Sequence, residues 1–86
     1  MRVTFTETAL EEYMQWQSED KKTLKRINKL IKDIQQNGFI KGIGKPEALK
    51  YRKGFSRRID EANRLEYDGD PEKNLVIISC KGHYQD

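Results

Sequence analysis

The sequence is poor in cysteine, histidine and long apolar runs. Its single cysteine, Cys80, excludes an internal disulfide, and its position within an apolar segment predicts a small buried side chain. One cysteine and one histidine do not complete a zinc site, so we expect no metal and no cofactor. No apolar run approaches the roughly 20 residues that cross a bilayer, and no signal-type segment opens the chain. These absences favour a cytoplasmic protein without a membrane partner.

The chain is also too short for more than one hydrophobic core. A chain of 86 residues buries only about 60% of the surface that its unfolded form exposes, and no linker or repeat divides it. We therefore predict a single domain over residues 1–86. Charged residues make up 36% of the chain and the formal net charge is +3. This weakly basic balance favours a polyanionic or acidic partner.

Hydrophobic periodicity predicts two helices in the first half of the chain. A short strand over residues 3–5 precedes a first helix, which Thr6 or Thr8 caps and which ends near Gln17. An apolar stripe at three- and four-residue spacing predicts a second helix over residues 19–37. The stripe consists of Leu24, Ile27, Leu30, Ile31 and Ile34. The opposite side is basic, which is usual for a solvated helix face and also suits contact with phosphates; it carries Lys21, Lys22, Lys25, Arg26, Lys29 and Lys32.

Glycine and proline in the segment 42–46 predict an exposed loop over residues 38–53. Three strands follow, joined by a tight connection at 61–62 and a turn at 68–71. Their predicted ranges are 54–60, 63–67 and 75–80. The pattern predicts an α+β fold, with the two N-terminal helices packed on a mainly antiparallel sheet.

Two neighbouring arginines point in opposite directions from the first of these strands. Arg57 shares a face with Phe55 and Ile59, whereas Arg58 shares the other face with Ser56. Because its neighbours are apolar, we interpret Arg57 as structural.

A carboxylate, a guanidinium and the single imidazole supply the groups needed to cleave RNA without a metal. We predict that Glu47 takes the proton of the ribose 2′-hydroxyl, Arg64 stabilises the charge on the phosphorane, and His83 protonates the leaving 5′-oxygen. The product is then a 2′,3′-cyclic phosphate. Supporting roles, in binding phosphate or in stacking on a base, fall to Lys50, Arg58 and Tyr84.

Each of these residues also has a purely structural explanation. Glu47 follows a proline and suits a plain loop carboxylate. Arg64 suits a pair with Glu66 or cover for a sheet edge, and His83 suits a solvent-exposed residue near a chain end. Taken one at a time, the residues leave both interpretations open.

Longer segments of the chain resemble a known family. The run Gly-Ile-Gly-Lys-Pro-Glu-Ala-Leu-Lys at 42–50, the run Ser-Arg-Arg-Ile at 56–59 and the pair His83-Tyr84 are similar to the YoeB-type toxins of the RelE/ParE superfamily. The resemblance covers nearly the whole chain, including 12–16 and 25–33.

This resemblance implies a helical pair on a mainly antiparallel sheet of four to five strands, and a toxin that cleaves mRNA in the ribosomal A site. The family's base, transition-state arginine, acid and terminal aromatic fall on Glu47, Arg64, His83 and Tyr84, and its phosphate-binding residues fall on Lys50 and Arg58. The implied partners are a YefM-type (Phd/YefM) antitoxin, the ribosome with its mRNA, and a second copy of the chain. Operator DNA is reached only through the antitoxin.

The chain departs from the family pattern at several places. Ala62-Asn63 stands where the family has Glu-His, Gly54-Phe55 stands where an aromatic such as Trp is frequent, and Gln85-Asp86 extends the tail. The segment between Lys50 and Ser56 is also shorter, and these departures predict weakened activity. Two other functions stay open: a ParE-like toxin that binds a protein such as DNA gyrase, and a non-catalytic RNA-binding module.

Overall fold

A five-stranded mixed sheet forms the centre of the protein, and two helices cover one of its faces. The computed structural model describes residues 1–82. In chain order the elements are β1 (Val3–Phe5), α1 (Glu7–Glu19), α2 (Lys21–Asn37), β2 (Glu47–Ala48), β3 (Phe55–Arg58), β4 (Arg64–Gly69) and β5 (Leu75–Ser79). The strands lie in the order β1-β5-β4-β3-β2, with β1 parallel to β5 and the other pairs antiparallel. The predicted α+β fold is confirmed. Across residues 1–82, no helix has both the length and the apolar character needed to cross a membrane.

Side-chain caps set where both helices begin. The Thr6 hydroxyl accepts a hydrogen bond from Ala9 N and donates one to Ile78 O, so a single side chain caps α1 and attaches it to β5. Asp20 alone separates the helices, and its carboxylate accepts from Lys22 N and Thr23 N at the start of α2. The predicted end of the first helix near Gln17 and the predicted start of the second at residue 19 were therefore wrong, because α1 continues to Glu19 and α2 begins at Lys21.

The loop and strand predictions need three corrections. Residues 47–48, predicted as exposed loop, form β2, which pairs with β3. The connection after β3 is longer than a two-residue turn, because Asp60 Oδ1 accepts from both Ala62 N and Asn63 N and holds a wider turn. The next turn lies beyond residues 68–69, which belong to β4, and Asp70 organises it in the same way.

The hydrophobic core lies between α2 and the middle strands. The α2 stripe predicted from the sequence contributes three fully buried side chains, whereas Leu24 and Ile31 pack at its edge. Cys80 is buried as predicted. The fully buried apolar side chains of the core include Ile27, Leu30 and Ile34 from α2, Leu65 and Tyr67 from β4, and Leu75 and Ile77 from β5.

Arg57 is fully buried beneath the sheet and is the most extensively bonded side chain of the core. Its Nε donates to Tyr67 Oη, and its Nη1 donates to the Asp33 carboxylate. The remaining three donors reach backbone carbonyls of the loop after α2, at Gly38, Lys41 and Ile43. All five N–H donors of the guanidinium are thus satisfied, and the structural role predicted for Arg57 is confirmed.

Two glycines allow the loop to approach Arg57 closely. Gly42 and Gly44 have φ values of 123° and 82°, which side-chain-bearing residues rarely adopt. A Cβ on Gly42 would collide with the Asp33 carboxylate, and one on Gly44 would lie 2.8 Å from Leu30 Cδ2. The Gly-x-Gly sequence is therefore a packing requirement of this loop.

We expect Arg57→Ala to lower the free energy of unfolding by about 3–5 kcal/mol, because the change leaves the partly buried Asp33 carboxylate and three loop carbonyls without their donor. Urea unfolding followed by circular dichroism measures this. The neighbouring exposed residue provides a matched control: Arg58→Ala should change stability by about 0.5 kcal/mol or less. Equal stabilities of the two variants would contradict the structural role of Arg57.

Stability should also fall in acid through Asp33. Burial raises the pKa of this carboxyl, but hydrogen bonds from Arg57, Ile43 N and Asn37 outweigh burial and lower the pKa below its ordinary value of 3.8. A carboxyl with a lowered folded pKa stabilises fully above the unfolded pKa, and the contribution is lost as pH falls through the folded pKa. Urea unfolding from pH 6 to about pH 2 should therefore show a shallower acid decline for Asp33→Asn than for the parent. Glu61→Gln, an exposed substitution, should follow the parent curve.

Candidate active site

The face of the sheet opposite the helices carries polar side chains in register. Cross-strand partners point to the same side of a sheet, so pairing aligns one row across β2, β3, β4 and β5. This row contains Glu47, Ser56, Glu66 and Ser79, the last brought opposite Glu66 by a register shift in β4 and β5. Arg58 and Arg64 are partners in the next row. We call this surface the polar face.

Glu47 and Arg64 meet on the polar face, although 16 positions of the sequence lie between them. Glu47 Oε2 lies 3.5 Å from Arg64 Nη2. Arg64 Nε donates to Ser56 Oγ at 3.0 Å, which fixes the plane of the guanidinium. The Glu47 side chain is 67% exposed and the Arg64 side chain only 17%, so the carboxylate faces solvent while the cation lies against the sheet.

Arg64 Nη2 is shielded from solvent, yet it has no hydrogen-bond partner within residues 1–82. Its contact with Glu47 is an ion pair at 3.5 Å, too long for a hydrogen bond. A buried donor without an acceptor costs about 1–3 kcal/mol. An anionic oxygen placed beside Glu47 would remove this cost.

The segment after β5 is attached to α1 through both backbone groups of Cys80. Cys80 N donates to Glu12 Oε1 at 2.7 Å, and Cys80 O accepts from Trp16 Nε1 at 2.9 Å. Lys81 Nζ then donates to Gln15 and Glu19 on the same helix. Burial, with the charge of Glu12, raises the pKa of the Cys80 thiol to about 12. The thiol therefore stays protonated at neutral pH and supplies no nucleophile.

Gly82 connects this segment to the start of β4. Gly82 N donates to Asn63 Oδ1 at 2.8 Å, and Gly82 O accepts from Arg64 N at 3.0 Å. The residue before His83 is therefore hydrogen-bonded to the backbone of the candidate catalytic arginine.

The structure brings some of the predicted site residues together. Glu47 and Arg64 are paired, and Arg58 is the cross-strand partner of Arg64 with an exposed side chain. Lys50 is exposed and lies two residues beyond β2. His83 and Tyr84 lie outside the described residues.

Sequence reasoning missed two residues that organise the site. Ser56 holds the Arg64 guanidinium, and Asn63 holds Gly82. The alternation in β3 already placed Ser56 on the face of Arg58, which was the available signal. The alternative pairing of Arg64 with Glu66 was wrong, because Glu66 pairs with Arg52.

A family model for YoeB-like toxins of bacterial type II toxin–antitoxin systems matches residues 5–84. The chain belongs to the YoeB family. A YoeB toxin from Synechocystis is 48% identical over 87 residues, which covers 99% of each chain. The present protein is accordingly a YoeB toxin of a type II toxin–antitoxin system.

Solved structures of YoeB proteins share the fold. A YoeB dimer from Staphylococcus aureus superposes with a TM-score of 0.90 at 45% identity, covering 98% of each chain. A heterotetrameric YoeB–YefM complex from the same organism gives a TM-score of 0.88 at 45% identity, again over 98% of each chain.

Proposed function

We propose that this YoeB toxin is an endoribonuclease that cleaves mRNA in the ribosomal A site, with residues 1–86 acting as one toxin domain. The pairing of Glu47 with Arg64 carries the proposal. A solvent-facing carboxylate suits the attack of a hydroxyl on a phosphodiester when it lies beside a guanidinium whose Nη2 has no acceptor within residues 1–82. Membership of the YoeB family supports the same chemistry.

The proposed roles are those that the reaction requires, and the contact between Glu47 and Arg64 supports two of them. Glu47 takes the proton of the ribose 2′-hydroxyl, which then attacks the neighbouring phosphorus. Arg64 Nη2 donates to a non-bridging phosphate oxygen as negative charge grows there. His83 donates the proton that the leaving 5′-oxygen requires. Lys50 and Arg58 supply positive charge for the phosphates, and Tyr84 stacks on a base.

The proposed protein partner is a YefM-type antitoxin. A YoeB relative from Staphylococcus aureus was solved with YefM, and another structure of that relative is a dimer. On this chain, Arg58 and Arg64 present cations that would pair with acidic side chains of an antitoxin and so block the site. A homodimer is the second assembly that we propose.

Removing one of the proposed catalytic groups should slow cleavage strongly without unfolding the protein. We expect Glu47→Gln, Arg64→Ala and His83→Gln each to reduce cleavage by about 10²–10⁴-fold, because each removes a proton carrier or the main charge stabiliser. Primer extension on a reporter mRNA measures cleavage, and thermal unfolding measures stability.

Matched controls exist away from the polar face. Glu72→Gln and Arg2→Ala make the same charge changes at exposed positions and should leave the cleavage rate unchanged. A His83→Gln protein as toxic as the parent would remove His83 from the mechanism. Loss of stability in Arg64→Ala equal to that in Arg57→Ala would overturn the assignment of the two arginines.

Cleavage should also depend on the ribosome. A carboxylate is a weak base at neutral pH, and Glu47 lies open to solvent, so precise positioning of the RNA must supply much of the rate. An 86-residue protein has little surface with which to hold flexible mRNA, whereas the ribosome already holds a codon in place. Exposed lysines of α2 would contact ribosomal RNA.

The test compares one labelled mRNA incubated with the purified toxin alone and on programmed ribosomes with an empty A site. We expect cleavage to be much faster on the ribosome. Equal rates at matched salt and toxin concentration would show that the protein is a self-sufficient ribonuclease.

A further inference from the structure

A second pair of opposite charges lies on the polar face, beside Glu47 and Arg64. Glu66 of β4 forms an ion pair with Arg52, which belongs to the loop between β2 and β3. The Glu66 side chain is 2% exposed and the Arg52 side chain is 48% exposed. The Glu66 carboxylate is buried and the Arg52 guanidinium covers it on the solvent side, so a ligand arriving from solvent meets the positive charge.

The position of this pair relates it to the candidate active site. Glu66 shares its row with Glu47 and Ser56, and it lies two residues along β4 from Arg64. Residues at i and i+2 of a strand point to the same face and are about 7 Å apart. The carboxylate that holds Arg52 is therefore the next side chain along this face from Arg64. An RNA strand that leaves Arg64 in that direction along β4 meets Arg52 next.

Arg52 retains hydrogen-bonding capacity in this position. Its only hydrogen bond within residues 1–82 goes from Nη2 to Glu66. A guanidinium has five N–H donors, and pairing with a buried carboxylate fixes its direction without using them all. The buried Glu66 carboxylate anchors this cation, and its Oε1 also accepts a hydrogen bond from Ser79 Oγ at 3.4 Å.

The neighbouring residue adds an aromatic surface. Tyr51 leaves 79% of its area exposed, unusual for so large a side chain in a protein of this size. A cation next to an exposed aromatic ring is a common combination in proteins that bind single-stranded RNA, because phosphates and bases alternate along the strand.

We propose that Arg52, positioned by Glu66, binds an RNA phosphate adjacent to the one that is cleaved. Glu66 is then a positioning residue, and Arg52 is a substrate-binding residue in addition to Lys50 and Arg58. The proposal rests on the proposed function, because it takes RNA as the substrate of the polar face.

The experiment measures binding in the absence of cleavage. Programmed ribosomes carry an mRNA whose A-site codon has 2′-O-methyl groups, which remove the nucleophile. The dissociation constant of the full-length toxin is measured over a range of KCl concentrations at fixed Mg²⁺. Log affinity falls as log salt rises, and each lost phosphate contact makes this fall less steep by about 0.7 for a single strand.

The parent and three variants separate a role of Arg52 in RNA binding from a purely structural one. Arg52→Ala should make the slope about 0.7 less steep. The loss of affinity on a fourfold rise in salt is then about 2.6-fold smaller for the variant than for the parent. The double variant Arg52→Ala/Glu66→Gln, which leaves no unpaired buried charge, should show the same loss. Lys53→Ala removes an equal charge from the adjacent exposed position and should keep the parent slope.

Two results would overturn the proposal. A double variant with the parent slope would show that Arg52 only neutralises Glu66, and an unchanged slope in Arg52→Ala would show that it contacts no phosphate. Cleavage of the unmethylated mRNA by the parent is measured in parallel and tests the proposed function separately. A changed slope without cleavage supports the RNA contact and rejects the nuclease, and cleavage with an unchanged slope does the reverse.

Discussion

The buried guanidinium of Arg57 is the contact on which the position of the candidate site depends. It joins α2 through Asp33, β4 through Tyr67 and the loop after α2 through three backbone carbonyls. That loop leads directly into β2, which carries Glu47. The path of the loop on one side of the sheet therefore decides where the carboxylate stands on the other side. Loop carbonyls would otherwise need water, which the core excludes.

The strand β3 divides its polar residues between two environments. Arg57 and Arg58 are adjacent in sequence, yet alternation places one in the core and the other on the polar face. Ser56 shares the polar face with Arg58 and orients Arg64 from there. A substitution that shifted β3 by one residue would exchange these environments, burying Arg58 without its acceptors and exposing Arg57. The core cation thus helps to fix the register that the site requires.

The sequence predicted those features that depend on local patterns. The helices followed from three- and four-residue spacing, and β3 to β5 followed from alternation and turn residues. The two-residue strand β2 could not be predicted, because its conformation comes from pairing with β3 rather than from Glu47 and Ala48 themselves. The structural role of Arg57 was visible from its apolar neighbours, but its carbonyl acceptors were not. For the site, Glu47 and Arg64 were identified as components, whereas their contact and the Arg52 partner of Glu66 depend on sheet register and loop path.

The place of β5 in the sheet has a consequence for synthesis. It lies between β1 and β4, although among the elements of residues 1–82 it is the last to be made. A nascent chain that stops before Leu75 offers β1 no neighbour and gives Trp16 no Cys80 carbonyl to bind. Pairing between the two extremes of the chain is slow because a long loop must close first. The sheet therefore cannot be completed until β5 has been made, however early the helices form.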